Sequence, residues 1–266
     1  MALASTDFDQ AKRLIDRGVA SDNTSPEGTA FLVSTSDKHR NVRSVLYPFI
    51  YQQFQGLVNI EQINADYLEH KTDILFYFTG IKDVEKLDTL EFLPGAIADH
   101  LTSTGGVLDG RSQMSILRWL EAGATGSYGA VTEPCNFPAK FPNPAIAIAS
   151  YASGETLIEA YWKSVLQPGQ GIFVGEPLAK PFGGYQVSSV KDQITVKTRT
   201  LKPGVYLLLS AENEDGPFRP EKTLMIQSPA NRVLQLPNEK GKYYRITRIG
   251  SLPATGSKAV SHQTTQ

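Results

Sequence analysis

Apolar residues recur along this chain at helical spacing in some stretches and in short continuous runs in others, and the two patterns alternate over its first two thirds. Phe8, Ala11, Leu14 and Ile15 fall at helical spacing after Ser5 and Thr6, which can cap, and Gly18 ends the pattern; an opening helix is predicted. After the turn-rich SDNTSPEG comes TAFLVST, a β-branched run that predicts a strand. Val42, Val45, Leu46, Phe49 and Ile50 then resume helical spacing. DILFYFTG is apolar almost throughout, as a strand covered on both faces requires, and GAIADHLTS and GATGSYGAV read as two more central parallel strands. Between those two, SQMSILRWLEAG carries Met114, Leu117 and Leu120 on one helical face, with Gly123 as a stop. GETLIEAYWKSVL supplies a further helix in which Thr156 and Glu159 have capping-box spacing. Strands alternating with helices over residues 1–183 predict an α/β three-layer sandwich around a mostly parallel sheet.

The pattern changes after PFGGYQ. QITVKTRT, GVYLLLSA, KTLMIQS, NRVLQLP and KYYRITRI are short β-type segments separated by turn signals such as Pro203-Gly204 and Asp215-Gly216-Pro217. They predict a small antiparallel β-sandwich over residues 184–250. At roughly 65 residues it lies near the lower limit for an independent core, so it should lean on the α/β unit. Residues 251–266 have too little apolar content to pack and are expected to be disordered.

Charge narrows the function classes. With 26 basic against 27 acidic residues the chain has no net field for a polyanion, so nucleic acid is not an expected partner. The single Cys135 rules out an internal disulfide framework and a cysteine-rich zinc site. The N-terminal stretch becomes charged before an apolar segment develops, and no apolar run approaches the roughly 18 residues of a membrane span; neither a signal peptide nor membrane insertion is expected of the sequence as it stands.

In open parallel sheets ligands bind beyond the C-terminal ends of the strands, and four segments of unusual composition are expected there. Asp99, His100, Thr102 and Ser103, followed by Gly105-Gly106, read as a site loop or as a polar turn in which His100 is hydrogen-bonded for structure. Glu133, Cys135 and Lys140 lie in a proline-rich loop that could hold a carboxylate and a thiol in place, or could be a structural connector around an inert cysteine. Glu159, Trp162 and Lys163 read best as a core Trp beside a solvated ion pair. PGQGIFVGEPLAKPF, with Glu176 at a strand end, reads as a rim of the same cleft. No phosphate loop, dinucleotide fingerprint, HExxH, GxSxG or CxxC occurs, and no metal or cofactor is expected. His39, His70 and His262 read as exposed. The expectation is that Asp99, His100, Glu133 and Cys135 converge at one edge, either as a binding site with Thr102, Ser103, Lys140 and Glu176, or as a hydrolase in which His100 activates Cys135 or a water. A structural assembly role is the third reading.

GAIADHLTSTGG, GATGSYGAVTEPCNFPAKFPNP, GETLIEAYWKSV and PGQGIFVGEPLAKPF together resemble an uncharacterised bacterial family associated with exosortase, the cell-envelope sorting system, over residues 5–183. A more distant likeness is to the gingipain branch of caspase-like cysteine peptidases, which place an immunoglobulin-like domain after an α/β core. In those enzymes one strand ends in the catalytic His-Gly and the next in the catalytic Cys; the matching positions resemble Thr79-Gly80 and Asp99-His100 here, so both catalytic groups are missing. The resemblance implies a caspase-like pseudoenzyme of the cell envelope that binds a peptide or polymer ligand.

Overall fold

The computed structural model describes residues 1–109, 112–134, 137–227, 232–239 and 242–250. The opening helix is α1 (Phe8–Ser21), but Asp7 and not Ser5 or Thr6 caps it, its carboxylate accepting from Gln10 N at 2.8 Å, and it continues past Gly18, which is buried within it. The apolar runs become β1 (Thr29–Ser34), β3 (Ile74–Thr79), β4 (Phe92–His100) and β5 (Gly126–Ala130). The periodic stretch from Val42 does not form one helix. It starts as a 3-10 segment (Asn41–Leu46) and becomes α2 (Tyr47–Phe54) where Pro48 opens the first turn. The helix expected in SQMSILRWLEAG is confined to α3 (Leu117–Ala122), ended by Gly123 at φ 119. The capping box of α5 (Leu157–Ser164) forms as predicted between Thr156 and Glu159.

A six-stranded sheet results, in the order β2-β1-β3-β4-β5-β6. β2 (Asn59–Asn64) and the four central strands run parallel, whereas β6 (Gly171–Gly175) is antiparallel to β5. Because side chains alternate along each strand, the sheet serves two cores. Leu32, Phe76, Phe78, Ile97 and Tyr128 join one with α2, α5 and α4 (Pro144–Ala152); Phe31, Val33, Tyr77 and Ala98 join the other with Leu14 of α1 and Trp119 and Leu120 of α3. The predicted three layers are present.

The proline-rich loop ends where α4 begins, so Pro144, its last proline, belongs to a helix. Pro144 occupies the helix start, where a missing N–H costs nothing, and Asn143 caps it through Ala145 N at 3.0 Å. The reading of Trp162 is corrected: it is 57% exposed, against the rim of Phe173 at a centroid distance of 5.6 Å, and not in the core.

The second unit contains two three-stranded antiparallel sheets, β11-β8-β7 and β10-β9-β12. These are β7 (Tyr185–Val190), β8 (Gln193–Thr198), β9 (Gly204–Ala211), β10 (Arg219–Ile226), β11 (Arg232–Pro237) and β12 (Tyr243–Gly250). Tyr206, Ile226 and Leu234 form their small core, with Val196, Leu224 and Ile246 at its margin. The unit leans on the α/β layers as its size predicted: Arg199 donates to Leu57 O at 3.0 Å and stacks over Phe182 at 4.4 Å. No helix among the described residues is long and apolar enough to cross a membrane. The expected tail, residues 251–266, lies outside the described residues.

Candidate functional site

The parallel strands β1, β3, β4 and β5 end at one edge, and most of the residues singled out from the sequence are there. Asp99 and His100 close β4, opposite Phe78 and Thr79 of β3. Pleating sends them to different layers, so the expected convergence of Asp99 and His100 in one site does not occur. Asp99 enters the layer of α2 and α4, where its Oδ1 lies 2.6 Å from Arg43 Nη2; both side chains are almost wholly buried. Arg43 also donates to Thr79 O at 2.7 Å and Pro142 O at 3.1 Å, and its guanidinium lies over Phe78 at 5.7 Å. Burial raises the Asp99 carboxyl to about 6 against the pull of Arg43. Its Oδ2, the Thr79 hydroxyl and Arg43 Nε are buried without hydrogen-bond partners among the described residues.

His100 faces the other layer, fully buried. Trp119 Nε1 donates to its Nδ1 at 3.0 Å, which makes Nδ1 the acceptor and leaves the proton on Nε2; Nε2 then donates to Met114 O at 3.2 Å. Both ring nitrogens are committed. Burial lowers its pKa to about 3, only partly offset by the Met114 bond, so the ring is neutral and unavailable to a proton on a substrate.

The loop after β4 is structural for the same reason. Thr102 is buried, accepting from Arg40 Nε at 2.9 Å and donating to Gln113 Oε1 at 2.7 Å; Ser103 is buried beside it. Gly106 crosses β5 so closely that a Cβ there would meet the Gly129 carbonyl, and Gly106 N donates to Ala130 O at 2.8 Å. Lys140 is not a ligand-facing cation: its ammonium is turned inward, donating to Thr132 O and, at 3.1 Å, to Pro134 O, which folds the proline-rich loop upon itself. Glu133 is exposed on that loop. Cys135 lies outside the described residues.

Glu176 is at the opposite edge. Since β6 runs antiparallel, its C-terminal end meets the start of β5, with Glu176 N bonded to Thr125 O at 3.0 Å and the side chain against Gly18 of α1. His39 and His70 are exposed, as their charged surroundings predicted, and His262 lies outside the described residues.

The chain matches no family model, no curated protein and no solved structure.

What remains accessible at the C-terminal edge is a surface, not a constellation. Val107 and Leu108 follow the β4 loop, Val131 follows β5, and Phe137 stands on the proline-rich loop; these four are 37–46% exposed. Thr132 and Glu133 lie between them in the chain, both exposed. Sequence reasoning pointed to the polar residues of these loops, but the fold spends those residues on holding the loops down and presents their apolar neighbours.

A second concavity was not foreseen. A cleft of about 740 Å³ separates the N-terminal edge of the large sheet from the second unit, with Glu27, Asn59 and Asp73 on one wall and Gln186, Lys197 and Val233 on the other. These last three are Cα partners across β7, β8 and β11 and form one row of that sheet. Walls assembled from such distant segments leave no local signature.

Proposed function

We propose that the chain is a non-catalytic protein with a caspase-like core that binds an extended peptide or polymer over the C-terminal edge of its large sheet, in the cell envelope of bacteria with exosortase-type sorting. The observation that carries the binding role is the set of exposed apolar side chains Val107, Leu108, Val131 and Phe137 above a sealed polar layer. Apolar side chains presented by neighbouring strand-end loops suit a ligand held by contact area. The caspase-like reading is supported by β3 and β4 being neighbours with Thr79 opposite His100, followed by α3 and the glycine-alanine strand β5. The envelope role rests on the motif resemblance alone. A hydrolase using His100 is disfavoured, because a ring with both nitrogens bonded inside the protein has no lone pair for a thiol or a water.

The experiment is a screen of the purified protein against an immobilised peptide library and a panel of bacterial exopolysaccharides, repeated with Leu108→Asp and Phe137→Asp. Binding by the native chain that both substitutions weaken at least tenfold is expected. Retention by both variants, or cleavage of any peptide that a thiol-directed inhibitor abolishes, would overturn the proposal.

A further inference from the structure

Among the described residues six strands border the three sheets, and five of them carry a feature that discourages pairing with another chain. β2 has Glu61, paired with Lys71 at 3.1 Å. β6 is covered by Ala2, which exchanges hydrogen bonds with Phe173 O and Gly175 N at 2.9 and 3.0 Å. β10 contains Arg219, Pro220, Glu221 and Lys222 and a register shift; β12 has Arg245, Arg248 and its own shift; β11 runs from Arg232 to Pro237. β7, with the sequence YQVSSV, has no charge, no proline and no irregularity, and every one of its residues is exposed.

The register of β7 fixes which of its backbone groups are open. Val190 and Gln193 flank the two-residue turn Lys191-Asp192, so they form a hydrogen-bonded pair, and such pairs recur at alternate residues. Ser188 and Gln186 therefore bond to β8, while the N–H and C=O groups of Tyr185, Val187 and Ser189 point away from it. Val187 lies opposite Val196, whose side chain packs on the small core, so these same residues face the inner side of the sandwich. Yet Tyr185 is 72% and Val187 56% exposed: the inner face of the sheet extends past its cover.

We propose that β7 is the self-association edge of this protein, pairing antiparallel with β7 of a second copy about a two-fold axis through Val187. The second copy is the occupant that the strand's own chemistry selects. An axis normal to the sheet keeps inner faces on one side, so residues opposite each other must share a face, and the open backbone groups are those of inward residues; centring on Val187 meets both conditions. In that register Val187 exchanges hydrogen bonds with its counterpart, and Tyr185 does so with Ser189 of the other copy. The four exposed apolar side chains, Tyr185 and Val187 from each copy, become one continuous strip. With no charge on the strand, none is brought against its like. The inference is independent of the proposed function, whose residues lie on the α/β unit.

Sedimentation velocity over a wide concentration range tests it on the full chain. The native protein is expected to form a dimer, Val187→Lys and Val187→Glu to be monomers with unchanged circular dichroism, and an equimolar mixture of the two variants to regain the dimer, because opposite charges then meet at the axis. Unfolding could not produce that rescue. A native chain that stays monomeric, a dimer that survives either substitution, or a mixture that remains monomeric would each overturn the proposal.

Discussion

Asp99 and His100 are consecutive on β4 and lie in different layers of the protein, one beside Arg43 and the other beside Trp119. Asp99 has its ion pair with Arg43, and the His100 ring is bonded by Trp119 and Met114, so different substitutions probe the two, although the Arg43 charge acts on both.

For His100 the sign is set by burial. The folded ring binds its proton only near pH 3, whereas an unfolded histidine does so near 6.5. The stability it contributes is complete above pH 6.5 and is lost as pH falls toward 3, by about 1.4 kcal/mol per pH unit. Asp99 runs the other way: raised to about 6 from 3.8, its contribution is present below 3.8 and is lost as pH rises through 6. Urea unfolding of the native chain and of His100→Gln at steps from pH 7 to 4.5 should show the native advantage shrinking as acid is added. Parallel curves would mean that His100 is not held neutral.

Trp119→Phe keeps most of the volume and removes the donor to Nδ1. Leaving that buried nitrogen unpaired should cost about 1–3 kcal/mol. It should also raise the pKa of His100, because a proton on Nδ1 no longer faces an N–H. Nitrogen-15 spectra of the ring read both the tautomer and the titration.

Removing one member of the Asp99–Arg43 pair should cost about 3–5 kcal/mol, since the survivor is a buried charge without a counter-ion. The double change Asp99→Leu with Arg43→Met should cost less than the sum of the single changes. Additive losses in the double-mutant cycle would show that the two side chains are not coupled.

Gly106→Ala should destabilise by about 1–3 kcal/mol, because the new methyl must displace either the β4 loop or β5 at Gly129. Gly169→Ala, where a Cβ meets nothing within 4 Å, is the control and should change the melting temperature little.

Much of this architecture was legible because the central strands are buried on both faces and therefore read as apolar runs; β3, ILFYFT, is buried at every residue. β2 was not, since NIEQIN is an edge strand with alternate exposure and polar composition. The start of α4 was hidden within the proline-rich stretch, where Pro144 opens the first turn of the helix. At the site, the residue types stand out in composition, but their roles depend on geometry that composition does not carry. The opposition of Asp99 and His100 follows from strand parity and could have been deduced. That β6 runs antiparallel, taking Glu176 away, is decided by tertiary packing. Lys140 could not be foreseen either, because a lysine on a proline-rich loop gives no sign that its ammonium bonds the carbonyls behind it.

The reversal of β6 has a spatial consequence. A sheet whose last strand returns toward its starting side delivers the chain to the far rim, so the second unit is attached about one strand length, roughly 17–20 Å, from the loops bearing Leu108 and Phe137. The protein thus has two poles, and an object gripped at one leaves the other unobstructed.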